Sequence, residues 1–267
     1  MNDKKISFII CYNNEYYLQE CITYLSELII PDGFEADIVE VVGAKSMAAG
    51  YNEGMRRTDA KYKIYMHQDV FITNKLFLTD LLQVFQEDSS IGMIGMVGTP
   101  YLVKDAVMWH GIRGGAFYRL QKYIQEDGLK RFFELKSGYM EMEAVDGLLM
   151  ATQYDIPWRE DIFKKWDFYD VSQCFEFKKA GYKVVVPGQE QAWYIHDCGI
   201  PNYDNYYGER DIFLEHYLEY MSRRKEETGQ EYLEKVEACI RESYHGSDED
   251  KERLLQMLED FKKEKEL

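Results

Sequence analysis

The alternation of strand-like and helix-like segments in the first hundred residues is the feature that most constrains this chain. Short runs of β-branched and aromatic residues predict buried strands at 5–11, 37–42, 61–66 and 91–97. Segments with helical periodicity separate these runs. A β-α-β-α-β-α-β order predicts an α/β fold with a mostly parallel central sheet flanked by helices. Such sheets bind their ligands at the carboxyl ends of the strands.

The rest of the chain departs from this rhythm twice. Residues 101–141 lose the alternation and are interpreted as an insertion over the site. The alternation resumes with a strand-like run at 142–150, a helix at 170–180 and a strand at 182–186. From 211 onward the patterns are helical. We therefore expect one α/β domain over residues 1–210 and a C-terminal helical extension over 211–267 that packs on it.

The charge balance excludes several classes of protein. The 267 residues include 32 basic and 48 acidic side chains, a net charge of −16, which disfavours binding to nucleic acid or to an anionic membrane surface. No apolar run approaches the ~18 residues that span a bilayer. The run at 6–11 is too short for a secretory signal. Five widely spaced cysteines without a C-x-x-C pair favour a reducing, cytoplasmic location.

Candidate chemistry begins at the end of the third predicted strand. Asp69 follows that strand directly, in His67-Gln68-Asp69, where a carboxylate faces the ligand crevice. With a divalent cation it could bridge to a diphosphate, which an acidic chain would otherwise repel. A strand-to-turn aspartate that only caps a helix is the alternative. His196 lies about ten residues beyond the last predicted strand, and Asp69 with His196 would make a plausible Mn²⁺ or Mg²⁺ pair.

Two further carboxylates are candidates for a general base. Asp170 opens a predicted helix, where a carboxylate can act as a simple cap or can remove a proton from a hydroxyl nucleophile. Asp146 precedes Gly147 and either serves the same pocket or forms a turn. The run at 111–115 has the glycines of a phosphate cradle, although a flexible loop is the simpler interpretation. The aromatic stretch at 202–208 has no helical period and is interpreted as a site loop.

Four segments, in order, resemble a GT-A-fold glycosyltransferase of the family 2 type. The similarity extends to the bacterial glycosyltransferase-like branch associated with surface polysaccharide, and covers residues 5–97 and 142–197. The matching segments are the opening strand and its Tyr-Asn turn at 6–13, the small-residue helix and D-x-D region at 46–69, the acceptor-side strand and following residues at 145–161, and the E-D helix with the late histidine at 168–196.

The resemblance implies a role for each matching residue. It makes Asp69 and His196 ligands of a divalent cation, with His67 as a further candidate ligand, and it makes Asp170 the base, with Asp146 in the same pocket. It places nine residues at the nucleotide-sugar, namely Cys11, Tyr12, Asn13, Glu15, Gly43, Gly50, Asn52, Gln68 and Asp69. Trp109, His110 and Tyr169 are expected on the acceptor side. The implied activity is metal-dependent inverting transfer from a nucleoside-diphosphate-sugar, with a UDP-sugar weakly favoured, to a glycan or lipid-linked acceptor.

Three positions depart from the family pattern and keep alternatives open. His67 replaces the first acid of D-x-D, Tyr169 replaces the first acid of E-D, and Gly43 stands where an acid usually contacts the base. A catalytically degenerate glycan- or nucleotide-binding module is therefore the second hypothesis. A nucleotidyltransferase ranks third because no triphosphate-binding loop follows the first strand. The absence of G-x-G-x-x-G after any predicted strand disfavours an oxidoreductase.

Overall fold

The predicted alternation forms a central sheet in the computed structural model of the protein, which describes residues 1–120, 128–199, 202–221 and 228–264. The strands in these ranges are β1 Asn2–Tyr12, β2 Glu35–Val42, β3 Ala60–His67, β4 Val70–Ile72, β5 Ile91–Gly95, β6 Val97–Thr99, β7 Gly114–Leu120, β8 Gly128–Arg131, β9 Tyr139–Glu141, β10 Ala144–Val145, β11 Leu149–Thr152, β12 Lys183–Pro187, β13 Tyr194–Asp197 and β14 Tyr244–His245. The helices are α1 Glu15–Ser26, α2 Met47–Arg56, α3 Phe77–Glu87, α4 Tyr169–Lys179, α5 Tyr206–His216, α6 Leu218–Met221, α7 Gly229–Ser243 and α8 Asp248–Glu264. A 3₁₀ turn spans Met108–His110.

The main sheet has the strand order β14-β9-β12-β5-β11-β3-β1-β2. Strands β2 and β3 run parallel to β1, and β12 runs parallel to β5. Strand β11 lies antiparallel between β3 and β5, and β9 lies antiparallel to β12 and β14. Six of the eight described strands in this sheet therefore point the same way, which confirms the mostly parallel sheet that the sequence predicts.

A second, smaller sheet places the insertion next to the main sheet. Its order is β10-β6-β7-β13-β4, with β8 paired to β7. The single strand expected at 91–97 divides at Met96 into β5 in the main sheet and β6 in the smaller one. Gly115 has a φ of +107°, and a Cβ there would lie 2.1 Å from the carbonyl oxygen of Met96. Gly115 therefore allows two strands to approach closely.

The core lies on both faces of the main sheet because side chains alternate along each strand. On β1, Ile9 and Cys11 face one cluster, and Phe8 and Ile10 face the other. Helices α1 and α3 cover the second face with residues such as Leu18, while α2, α4 and α7 cover the first. This layering fixes the carboxyl ends of β1 and β3 at one edge of the sheet.

The C-terminal helices are joined to the sheet. Strand β14 pairs with β9, and the carboxylate of Asp250 accepts hydrogen bonds from the Tyr244 hydroxyl at 2.5 Å and the Lys136 amide at 2.9 Å. Leu254 and Leu258 of α8 are buried, so this helix packs on the rest of the fold. None of the helices within the described ranges combines the length and the apolarity that crossing a bilayer requires. The five cysteines are free thiols.

Candidate active site

Asp69 and His196 come together through strand pairing. Strand β3 ends at His67, Gln68 and Asp69 form the turn, and β4 then pairs antiparallel with β13, which sets His196 opposite Val70. The amide of Asp197 donates to the carbonyl of Asp69 at 2.9 Å and closes this arrangement. Two residues 127 positions apart in the sequence therefore share one corner of the sheet.

Only part of the hydrogen-bonding capacity of the Asp69 carboxylate is used. Its Oδ2 lies 3.6 Å from Nε2 of His196, and its Oδ1 lies 4.0 Å from Nδ1 of His67. Oδ1 is buried and has no hydrogen-bond partner. Burial opposes ionisation of Asp69, but the contact with His196 and the nearby His67 outweigh it, so the pKa of Asp69 is lowered. Among the described residues no group of three histidine, cysteine or carboxylate ligands surrounds a common point. The fold does bring the two predicted ligands Asp69 and His196 together, and one oxygen of Asp69 is unsatisfied.

Two departures from the family pattern contact each other. The hydroxyl of Tyr169 lies 2.6 Å from Nε2 of His67. Burial keeps the pKa of Tyr169 well above its ordinary value and, against the influence of Asp69, lowers the pKa of His67. A protonated phenol beside a neutral imidazole makes Tyr169 the natural donor, which leaves the proton of His67 on Nδ1, the nitrogen that faces Asp69.

The first cavity of the site, here called the strand-end cavity, has a volume of about 180 Å³. It is lined by Cys11, Tyr12, Asn13, Gly43, Ala44, Met47, His67, Gln68, Asp69 and Trp166. The side chain of Gln68 fixes its rim, because Oε1 accepts from the amides of Asn13 and Asn14 at 3.0 and 2.9 Å and Nε2 donates to Asn13 at 2.8 Å. The structure thus brings together six of the residues that the resemblance assigns to the nucleotide-sugar: Cys11, Tyr12, Asn13, Gly43, Gln68 and Asp69.

Three residues of that set lie outside the lining. Asn52 is 3% exposed, and its amide is occupied by the main chain of Trp158, with bonds of 2.8 and 2.9 Å. A Cβ on Gly50 would lie 2.4 Å from Sγ of Cys11, so Gly50 supports the cavity wall from behind. The side chain of Glu15 accepts from Gln19 at 2.9 Å on the exposed side of α1. These three residues therefore make structural contacts and do not line the strand-end cavity.

The second cavity, here called the carboxylate cavity, contains Asp146 and Asp170 and also has a volume of about 180 Å³. Asp170 accepts from the amides of Gly147 at 2.9 Å and Val171 at 2.8 Å. Burial and the charge of Asp146 nevertheless raise the pKa of Asp170 to about 7. His67 and Trp166 line both cavities, so the two adjoin at these side chains. A carboxylate that titrates near neutrality beside a cleft has the property that a general base needs.

Aromatic side chains form the outer wall of the carboxylate cavity. Trp109 packs on Tyr206, with ring centroids 4.5 Å apart, and lies 6.0 Å from Tyr203. Trp109 and Tyr203 are 42% and 55% exposed, so their faces are available to a ligand. Tyr203 precedes α5 and Tyr206 begins it, so the predicted loop at 202–208 is half helical. The aromatic stretch does line the site.

His110 does not share that wall. Its Nδ1 lies 2.8 Å from Asp105, and the residue lines a separate cavity on the other side of the 108–113 segment. Sequence reasoning also overlooked two lining residues, Trp166 and Arg113. Trp166 lies four positions before Asp170, and the glycine pattern around Arg113 directed attention to the backbone and away from the guanidinium.

Comparisons with known proteins agree with this architecture. The glycosyltransferase-like family matches residues 7–217, and no protein of curated function matches the sequence. The mannosyltransferase PcManGT from Pyrobaculum calidifontis, solved with GDP-Man and Mn²⁺, is similar at a TM-score of 0.50 and 12% identity, over 89% of this chain and 69% of that one. GalNAc-T7, solved with UDP, GalNAc and Mn²⁺, is similar at a TM-score of 0.52 and 8% identity, over 77% of this chain and 45% of that one. TarS 1–349 of S. aureus has a TM-score of 0.48 and 10% identity, over 94% of this chain and 69% of that one.

These findings define an α/β glycosyltransferase of the GT-A fold, as the resemblance implied. The chain belongs to the glycosyltransferase-like family, whose match covers more than half of its length. At these identities the solved structures establish the fold alone. The chain spans less than half of the GalNAc-T7 chain.

Proposed function

We propose that the protein is a metal-dependent inverting glycosyltransferase that moves a sugar from a nucleoside-diphosphate-sugar to an acceptor hydroxyl. One observation carries the proposal. Asp69 lines the strand-end cavity with its Oδ1 unsatisfied and its Oδ2 3.6 Å from Nε2 of His196, and this cavity adjoins one in which the pKa of Asp170 is raised to about 7. A cation site and a base on either side of one reaction centre suit displacement of a diphosphate by a hydroxyl.

The residues present fit a divalent cation. The orphaned Oδ1 of Asp69 and Nε2 of His196 are the donors that would hold it, and a carboxylate with an imidazole suits Mn²⁺ or Mg²⁺. Such a cation neutralises the charge that develops on the leaving diphosphate. Two of the structurally similar glycosyltransferases were solved with Mn²⁺, which supports the proposal. Because the described residues bring only two such ligands together, phosphate oxygens of the donor would supply further ones.

The strand-end cavity is the proposed donor site. Gln68 holds the turn at Asn13 in place, and this turn with Tyr12 and Gly43 forms the surface on which a nucleotide can lie. PcManGT was solved with GDP-Man, and GalNAc-T7 was solved with UDP and GalNAc. We propose a nucleoside-diphosphate-sugar donor, with a UDP-sugar as the first to test.

Asp170 is the proposed base. It takes the proton of the acceptor hydroxyl in the carboxylate cavity, the oxygen attacks the anomeric carbon, and the diphosphate leaves on the opposite side with inversion. The amides of Gly147 and Val171 hold the carboxylate in place. Trp109 and Tyr203 offer aromatic faces on which an acceptor sugar can stack. We further propose a cytoplasmic role in bacterial surface polysaccharide or glycan synthesis.

A thermal-shift screen of nucleoside diphosphates and their sugars, with and without Mn²⁺, tests the donor proposal. We expect stabilisation by at least one nucleotide-sugar that requires Mn²⁺ and is lost in Asp69→Asn. Because Asn52 is bound to the main chain of Trp158 outside the cavity, a variant there is no suitable control. Asp211→Asn, an exposed change on α5, serves instead. No metal-dependent shift with any donor would refute the proposal.

A binding module without turnover is the second candidate. The neutral pair His67 and Tyr169 favours it, since both positions carry acids in the family pattern. The two candidates differ in one readout. An enzyme releases nucleoside diphosphate from its donor in the presence of an acceptor hydroxyl, and Asp170→Asn stops that release while donor binding persists.

A further inference from the structure

Arg113 separates the carboxylate cavity from a larger apolar one. It lies between the 3₁₀ turn and β7, and it lines both cavities. The second of these, here called the apolar groove, has a volume of about 620 Å³. It is lined by His110, Gly111, Ile112, Arg113, Phe132, Phe133, Gly229, Tyr232, Leu233, Met257, Asp260, Phe261 and Glu264. A cationic side chain therefore lies at the boundary between the carboxylate cavity and the apolar groove.

The guanidinium of Arg113 has no anionic partner within the part of the chain that the structure describes. Its Nε is buried without a hydrogen-bond acceptor among the described residues, and its Cζ lies 4.1 Å from the centroid of the Phe132 ring. Asp146 shares the carboxylate cavity with Arg113 but makes no ion pair with it. An unpaired, partly desolvated guanidinium is costly. The chain has 16 more acidic than basic residues, yet none of the described acids pairs with this arginine.

We propose that Arg113 binds the phosphodiester of a lipid-linked acceptor whose apolar tail lies in the apolar groove. This inference rests on the proposed function, because it places the acceptor hydroxyl in the carboxylate cavity beside Asp170. The guanidinium presents donors that match two phosphate oxygens at once. The tail contacts apolar side chains such as Phe133 and Met257.

Arg113 lies between the carboxylate cavity and the apolar groove, and this order indicates which kind of anion it binds. A hydroxyl near Asp170 and a tail in the apolar groove must be joined through the position of Arg113, so the anion there is a linking group. A carboxylate loses its charge when it is esterified to a second group, whereas a phosphate keeps a negative charge as a diester. The acceptor that fits is therefore a hydroxyl-bearing head joined to an apolar chain through phosphate.

Calorimetry with three probes tests the assignment without donor or metal. Dihexanoylphosphatidylglycerol, below its micelle concentration, supplies hydroxyls, a phosphodiester and apolar chains. Octyl glucoside lacks the anion, and glycerol 3-phosphate lacks the tail. We expect the first probe to bind at least about tenfold more tightly than either of the others, since only it satisfies Arg113 and fills the apolar groove.

Two variants separate the charge from the tail. Arg113→Gln should weaken binding of the phospholipid about tenfold and leave octyl glucoside unchanged, while Arg113→Lys should retain part of the affinity. Met257→Gln should weaken the phospholipid and leave glycerol 3-phosphate unchanged. Arg57→Gln, which alters an exposed arginine at the end of α2, is the matched control. Equal phospholipid binding by wild type and Arg113→Gln, or octyl glucoside binding as tightly as the phospholipid, overturns the assignment.

Binding of UDP with Mn²⁺, measured on the same samples, distinguishes this inference from the proposed function. Phospholipid binding that depends on Arg113 without UDP binding supports the lipid site and refutes the donor proposal. UDP binding without phospholipid binding refutes the lipid site alone. Because Arg113 forms no ion pair with the described residues, its variants should melt at or above the temperature of the wild type, and near-ultraviolet circular dichroism verifies their folding.

Discussion

Replacing Asp170 with asparagine should stabilise the protein while it abolishes transfer. The pKa of Asp170 is raised to about 7 by burial and by the charge of Asp146, whereas an unfolded aspartate titrates near 3.9, or about 3 units lower. Between these two values the folded state holds a proton that the unfolded state has released, so stability falls as the pH rises. At about 1.4 kcal/mol per unit, ionising Asp170 costs up to about 4 kcal/mol above pH 7.

The asparagine does not carry that cost. It keeps one acceptor for the two amides that bind Asp170, those of Gly147 and Val171, and loses the other, at about 1 kcal/mol. We therefore expect Asp170→Asn to be more stable than wild type by about 3 kcal/mol at pH 8 and by about 0.5 kcal/mol at pH 5. Urea unfolding at the two pH values, in the presence of a chelator, measures the difference.

The same group sets the pH dependence of the reaction. A base must be ionised, so the rate should rise with pH through about 7. Asp170→Asn should lose about 100-fold or more of this rate. Asp146→Asn keeps the base but removes a neighbouring charge, and should move the rise to lower pH. A stability gain that is the same at pH 5 and pH 8, or retained turnover in Asp170→Asn, would show that the assignment of the base is wrong.

Three other substitutions test individual contacts. Tyr169→Phe removes the hydroxyl that binds His67 and should cost about 1–2 kcal/mol in urea unfolding; no loss would argue against that hydrogen bond. Asn52→Ala leaves the buried main chain of Trp158 without two hydrogen bonds and should cost about 2–3 kcal/mol, with UDP affinity unchanged in calorimetry. Trp109→Ala removes an aromatic face from the carboxylate cavity and should raise the KM for the acceptor several-fold and leave the KM for the donor unchanged; the reverse pattern would place Trp109 on the donor side.

The sequence alone predicted the sheet and the position of Asp69 because both depend on local patterns. Periodicity identifies strands and helices, and the ends of parallel strands must meet at one edge. Asp69 therefore followed from its place after β3. The capping of α2 by Ser46, which accepts from the amide of Ala49, is equally local.

The contacts that define the site's chemistry join residues far apart in the chain, and a single sequence does not reveal such pairs. His67 and Tyr169 are 102 positions apart, and each alone looked like a lost acid. Asn52 and the Trp158 backbone are 106 positions apart, so a buried structural amide was interpreted as a nucleotide contact. That no carboxylate within the described ranges pairs with Arg113 depends on the folded arrangement of distant segments, which a single sequence does not reveal.

Calorimetric titration of UDP into the protein, with and without Mn²⁺, tests the central claim most directly. The account predicts binding that requires Mn²⁺, that is lost in Asp69→Asn and His196→Gln, and that persists in Asp170→Asn. These variants separate the cation site from the base, since Asp69 and His196 lie in one corner of the sheet and Asp170 lies across His67 in the adjoining cavity. UDP binding that is equally tight without metal, or unchanged in Asp69→Asn, would contradict the proposed metal-dependent donor site.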